Sequence, residues 1–262
     1  VVAEAYPADE VRPRRRGRKA LVTLLVLLLV LAGLLVVADR LAVGVAERAI
    51  ADQVKQELAK QDAQSSDPKV AVEGVPFLTQ VVDGKYRHIS ILLTDVRGPV
   101  QGNTVDVPRV DVDARNVKAS IDTLRSGQGD VTAESVDGVA TITYDSLAKL
   151  LDRPGLTLGE QGGKLVVNYP ADVLGVKLTL KGTADVTVAD NKVALRFNDL
   201  TADGLPNLPL AKALLVNYAK DLSIDVPLPE LPFRLHLRKV EPKAEGLVVT
   251  ADARDVPLNA AG

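Results

Sequence analysis

Three hydrophobic rhythms follow one another along the chain. Residues 20–38, ALVTLLVLLLVLAGLLVVA, carry no charge, and Thr23 is their only polar side chain. As a helix, nineteen residues reach about 28 Å, close to the roughly 30 Å of a bilayer's hydrocarbon core. No globular core needs a helix this uniformly apolar, so the segment is expected to span a membrane. From 39 to 61 the spacing turns helical. Leu41, Val45, Ala49, Ile50, Val54 and Leu58 recur at three- and four-residue steps, with Arg40, Glu47, Arg48, Lys55 and Glu57 between them. This predicts an amphipathic helix of about six turns that continues the span. The polar run QDAQSSDP at 61–68 ends it.

From Lys69 the period becomes two. Ile89, Ile91 and Leu93 alternate with His88, Ser90, Leu92 and Thr94; Val110, Val112 and Ala114 alternate with Asp111, Asp113 and Arg115. The phase then slips by one residue into Val117, Ala119 and Ile121, the trace a β-bulge leaves in sequence. Val176, Leu178, Leu180, Ala184, Val186 and Val188 alternate around Gly182. Val193, Leu195 and Phe197 follow a turn at Asp190–Asn191, then Phe233, Leu235 and Leu237, and last Leu247, Val249 and Ala251. Strands of about thirteen residues reach about 43 Å, and their glycines and phase slips predict a strongly curved antiparallel sheet.

One face of that sheet is apolar and must be covered. The helix at 39–61, a segment at 144–151 with Leu147, Leu150 and Leu151 on one side, and a segment at 210–222 behind Pro209 are the candidate covers. The predicted class is α+β, a long curved antiparallel sheet wrapped around amphipathic helices and preceded by one transmembrane helix. No linker composition divides 69–262, so the expected parts are a disordered basic tail (1–19), a span (20–38) and one further domain (39–262).

Charge gives the span a direction. The net of −2 averages a cationic start and an acidic remainder: residues 1–38 hold six basic and three acidic residues, leaving 26 basic and 31 acidic beyond. The basic residues lie immediately before the span and Asp39 immediately after it. The positive-inside rule then places the N-terminus in the cytoplasm and everything after Asp39 outside, a single-pass protein of the cell membrane. Val36 and Ala38 have the size a signal peptidase site requires, but the long apolar run and the helix beyond favour an uncleaved signal anchor.

The composition narrows the chemistry. There is no Cys, so no disulfide, thiol nucleophile or cysteine-based metal site is available. Two histidines, His88 and His236, cannot build a multi-histidine centre, and both read as ordinary strand residues. Three Phe, five Tyr and a near-neutral charge argue against nucleic acid as a partner. No G-x-S-x-G, phosphate loop or calcium loop occurs. Asp111 and Asp113 alternate with valines as a solvated strand face does. The expectation is a protein that is not an enzyme and takes no cofactor.

Residues 73–91, EGVPFLTQVVDGKYRHISI, are denser in particular features. Gly74, Val75 and Pro76 are expected to break a strand, exposing Phe77 and Leu78 at the break; Gln80 is uncharged and polar between Leu78 and Val81; Asp83-Gly84 reads as a hairpin turn. The run GVPFLTQVVDGKY at 74–86 resembles the signature of the actinobacterial phospholipid-binding family named after the mycobacterial lipomannan elongation factor, formerly domain of unknown function 2993. The basic tail and span, Asp39-Arg40 opening an Ala-rich helix, the late Gly-Leu-Pro at 204–206 and a closing Asp-Val-Pro-Leu at 255–258 agree with that pattern. The resemblance covers roughly 39–259. Gly74, Pro76, Phe77, Gln80 and Gly84 transfer as motif positions, without a chemical role.

The resemblance implies an extracytoplasmic, membrane-anchored domain that binds phospholipid or a lipoglycan precursor and supports envelope lipid or lipoglycan maintenance. It implies a fold similar to one half of the tubular lipid-binding proteins. Acyl chains need branched apolar walls and no directional bonds, each buried methylene contributing about 0.8 kcal/mol. Candidate walls are Phe77, Leu78, Val81, Ile89, Ile91, Leu178, Leu180, Leu195, Phe197, Leu214, Val216 and Leu235. A closed core would use the same residues. An envelope scaffold that contacts other proteins through strand edges is the alternative function.

Overall fold

The computed structural model describes residues 16–100, 102–120, 122–123, 129–151, 154–173, 176–189, 192–203, 224–227 and 235–258. Helix α1, Arg16–Lys60, is one unbroken element of 45 residues, about 68 Å long. The apolar span and the amphipathic segment therefore share one backbone. Side chains 21–38 are exposed. Beyond them one face of α1, formed by Ala42, Val43, Ala46 and Ile50, packs on a sheet.

The remaining elements are β1 (Lys69–Glu73), α2 (Phe77–Asp83), β2 (Lys85–Val100), β3 (Asn103–Lys118), β4 (Thr132–Ile142), α3 (Tyr144–Leu150), β5 (Thr157–Gln161), β6 (Lys164–Val173), β7 (Val176–Ala189), β8 (Lys192–Asp203), β9 (Ile224–Pro227), β10 (His236–Lys243) and β11 (Gly246–Pro257). They form two antiparallel sheets, ordered β1-β2-β3-β4-β11-β10 and β5-β6-β7-β8-β9. The class is α+β, as the alternation predicts. Neither sheet closes into a barrel.

Register aligns the apolar alternation into rows across the first sheet. Val72, Ile89, Ala114, Val136 and Ala253 stand abreast, as do Tyr86 and Val117, and Ala133 and Val256. These residues form one core with Phe77 and Ala119. The phase slip after Ala114 is present, but it is not a bulge with a one-residue register shift. The partners slip together: Ile89 to Tyr86 on β2, Val136 to Ala133 on β4 and Ala253 to Val256 on β11 all change parity within unshifted ladders. Asn116 and Asp255 sit on this line in left-handed conformations, at φ 49° and 50°. The result is a crease across four strands, at which the pairing lapses for a residue or two and resumes in the same register.

The opposite face is charged. Asp113, Asp137 and Asp252 lie abreast on β3, β4 and β11. Each is met by a basic side chain from a neighbouring position: His88 on Asp113, Arg115 on Asp137 and Arg238 on Asp252. Alternation of valine with aspartate thus produces a solvated lattice of pairs, as expected of Asp111 and Asp113; Asp111 is held by Arg109 at 2.6 Å.

The sheets meet at α3. Thr143 caps it, its hydroxyl accepting from the amide of Ser146, and the wholly buried Ser146 hydroxyl accepts from the Asp106 amide at 2.7 Å. Tyr144 donates to the Lys243 carbonyl of β10 at 2.7 Å and packs on a second core of Leu165, Val167 and Ala184.

Candidate functional site

The distinctive sequence at 74–86 folds differently from the strand, kink and hairpin it suggests. Phe77–Asp83 is a short helix, α2, and Gly84 is its left-handed C-cap at φ 63° rather than a hairpin turn. A Cβ at Gly84 would meet the Ala119 carbonyl at 3.0 Å, and that close approach lets the Ala119 amide donate to the Gly84 carbonyl at 3.0 Å. Phe77 is not exposed at the break. It is 5% exposed and its ring lies 6.1 Å from that of Tyr86.

Gln80 explains the uncharged polar position. Buried, it donates through Nε2 to the Gly74 carbonyl at 2.9 Å and accepts through Oε1 from the Arg87 amide at 3.0 Å. A larger residue at Gly74 has no room: its Cβ would lie 2.7 Å from Nε2. Asp39, the first charge after the apolar span, is also buried. Its carboxylate accepts the Leu78 amide at the start of α2, 2.8 Å away. The motif therefore plugs one end of the sheet and ties that plug to α1. Burial pushes the Tyr86 phenol up, and its hydroxyl has no partner among the described residues.

Away from the plug the apolar face opens. Val70, Ile91, Val112, Gly138, Ala251 and Leu237 form the next row, and each is only half-buried. Beyond them Leu93, Val110, Ala140 and Val249 are half-buried as well, while Val240, which ends that row on β10, is buried. Gly138, Ala140 and Ala251 give the central strands a low floor between taller Ile91, Val112 and Leu237. Among the described residues, a Cβ at Gly138 would meet only the carbonyls of Ala251 and Asp111, at 3.9 and 4.0 Å, and no described side chain comes within 4 Å of it. The candidate cover at 210–222 lies outside the described residues. The described residues thus form a shallow apolar trough over Gly138.

The sequence-predicted wall residues divide accordingly. Ile91 borders the trough. Phe77, Val81, Ile89 and Leu235 belong to or pack on the closed core at the plug, and Leu78 is half-buried in α2. Leu195 and Phe197 pack on the second core, and Leu178 and Leu180 are buried in the second sheet. Leu214 and Val216 lie outside the described residues. Gly138, Ala140 and Ala251 are not among the bulky residues that the sequence marks as walls. The signal for them was small residues at inward positions of β-branched alternations, in SVDGVATI (135–142) and VVTADA (248–253).

His88 is a satisfied strand residue. Nδ1 faces Glu73 at 3.0 Å and Nε2 faces Asp113 at 2.8 Å, and these hydrogen bonds raise its pKa above the ordinary 6.5. His236 is exposed on β10.

No curated protein and no solved structure matches the chain. A family model does, over residues 37–252, which include α1 from the end of its apolar span, the plug and all the trough residues. With most of its length matched and the 74–86 motif folded as a single plug, the chain belongs to the LmeA-like phospholipid-binding family.

Proposed function

We propose that the chain is a membrane-anchored, extracytoplasmic protein that holds phospholipid acyl chains on the open apolar face of its first sheet. It acts without catalysing a reaction and supports cell-envelope lipid or lipoglycan maintenance. The trough is the observation that carries this reading: two rows of apolar side chains that their own fold leaves half-covered, over a floor of Gly138, Ala140 and Ala251. Family membership supports lipid as the ligand. The exposed apolar half of α1 fits the anchor, with the domain on its C-terminal side.

An acyl chain lying in the trough loses water along its length, at about 0.8 kcal/mol per buried methylene. No charged side chain needs to enter. The alternative, a scaffold that docks partners on strand edges, finds less support. The β1 edge is already taken: its Val72 amide donates to the Glu47 carboxylate of α1 at 3.0 Å. Lipid recovery tests the proposal. The full chain is purified in detergent, analysed by native mass spectrometry, and offered phospholipid vesicles. Co-purifying phospholipid in about one copy per chain is expected. A chain that carries none and takes up none from vesicles refutes it.

A further inference from the structure

The plug end of the sheet carries surface that neither core uses. Val75 is 58% exposed and Val82, on the outer side of α2, is 85% exposed. An isolated exposed valine is unremarkable, but these two sit at a defined height. The Asp39 carboxylate, the first charge after the apolar span, accepts the Leu78 amide at 2.8 Å. Val36 and Val37, the last residues of the span's exposed surface before it, are one helical turn or less away along α1. The hydrogen bond thus fixes α2 at the level where α1 leaves the hydrocarbon.

Exposed cations stand beside α2, interleaved with carboxylates. Lys85 and Lys118 are direct cross-strand partners at the same end of β2 and β3, both exposed. Like charges placed opposite one another destabilise a sheet unless something neutralises them. Neither ammonium is ion-paired to a described residue, and neither is Arg40, exposed beside Asp39. Asp83 and Asp130 are the carboxylates on the same rim, and both point to solvent as well.

We propose that this end of the domain, with Val75 and Val82 as apolar contacts and Arg40, Lys85 and Lys118 as cations, docks on the anionic surface of the bilayer that α1 crosses. The inference rests on the reading of α1 as a membrane span. It goes beyond anchoring, because a single helix fixes only where the domain is tethered. A second contact sets which end faces the lipid. Phosphate headgroups between Lys85 and Lys118 neutralise the like-charge pair, and the two valines enter the interface beside them.

The absence of cysteine makes the test clean. Single cysteines at Val82→Cys, Val100→Cys and Leu29→Cys carry an environment-sensitive fluorophore in the full chain. Each is reconstituted in phosphatidylcholine vesicles with or without phosphatidylglycerol, and each is exposed to a nitroxide lipid quencher. Val100 is the control, at the far end of the sixteen-residue β2; Leu29 reports the span. Docking predicts at least twofold quenching at Val82 in anionic vesicles, little at Val100, and loss of the Val82 quenching in the Lys85→Glu/Lys118→Glu variant. A Val82 probe that stays aqueous while Leu29 is quenched overturns the docking and leaves the anchor standing. An unquenched Leu29 overturns the anchor itself. Equal quenching at Val82 without anionic lipid overturns the role of the lysines.

Discussion

Gln80 shows how one side chain decides what a motif becomes. Its amide satisfies a carbonyl and an N–H that otherwise lie buried without partners. Gln80→Leu keeps the volume and removes both bonds, so about 2–4 kcal/mol of stability is expected to be lost, read as a lowered denaturant midpoint. Phe77→Asp places a carboxylate in the closed core and is expected to cost about 4 kcal/mol or more. Loss of lipid in that variant would then report unfolding, not a damaged trough. His88 gives a pH signature. Its folded pKa is raised, by hydrogen bonds to Glu73 and then Asp113. The stabilisation is therefore fully present below the unfolded value of about 6.5 and is lost as pH rises through the folded pKa. His88→Gln should lower stability by about 0.5–1 kcal/mol at pH 6 and by almost nothing at pH 9, measured as melting temperature against pH. An equal loss at both values would show that packing, not the proton, is what the ring contributes.

Among the elements, β4 carries the sharpest test of the trough. Gly138 sits in a strand interior with room above it, so a larger side chain improves strand propensity while filling the floor. Gly138→Leu should leave the melting temperature unchanged or raised and reduce co-purified phospholipid severalfold. Unchanged lipid content would place the ligand elsewhere. The same residue shows how far the sequence reading reached. Period-two runs placed β2, β3, β7, β8 and β11, helical spacing placed the second half of α1 and, at 144–151, α3, because both patterns report burial directly; β4, β5 and β6 were not among those runs, and in β4 small inward residues such as Gly138 and Ala140 blur the alternation. The slip after Ala114 was visible in β3, but its character was not: whether one strand bulges or four crease together depends on partners that a single strand's pattern does not name. Helix α2 was hidden because seven residues carry too little periodicity, and Val81 and Val82 favour strand. Half-open and closed apolar rows look alike in sequence, since both consist of Val, Ile and Ala. Only the covering elements distinguish them, and α1 and α2 cover one end of the face.

For the whole molecule, the continuity of α1 matters most. Past its apolar half the helix gives Asp39 to α2 and Glu47 to β1 and ends at Lys60, shortly before Ala63, which lies against Gly98 near the far end of β2. Its second half therefore runs alongside β2, and the strands follow the helix axis away from its apolar half. Ile91 lies six residues beyond Lys85, so the trough begins about 20 Å from the docking end. The closed core at the plug fills that distance, so on the proposed anchored reading the rigid stalk sets the height of the trough above the bilayer. Inserting eight helix-forming polar residues between Ala38 and Asp39 lifts the domain by about 12 Å without touching either core. The melting temperature is expected to stay within about 1–2 °C, because no packed residue changes. The Val82 probe should lose its lipid quenching, and phospholipid uptake from vesicles should slow at least severalfold while equilibrium loading in detergent is preserved. A lengthened chain that docks and loads as fast as the parent would mean that α1 bends at Asp39, and that the domain's height above the bilayer is not built into the helix.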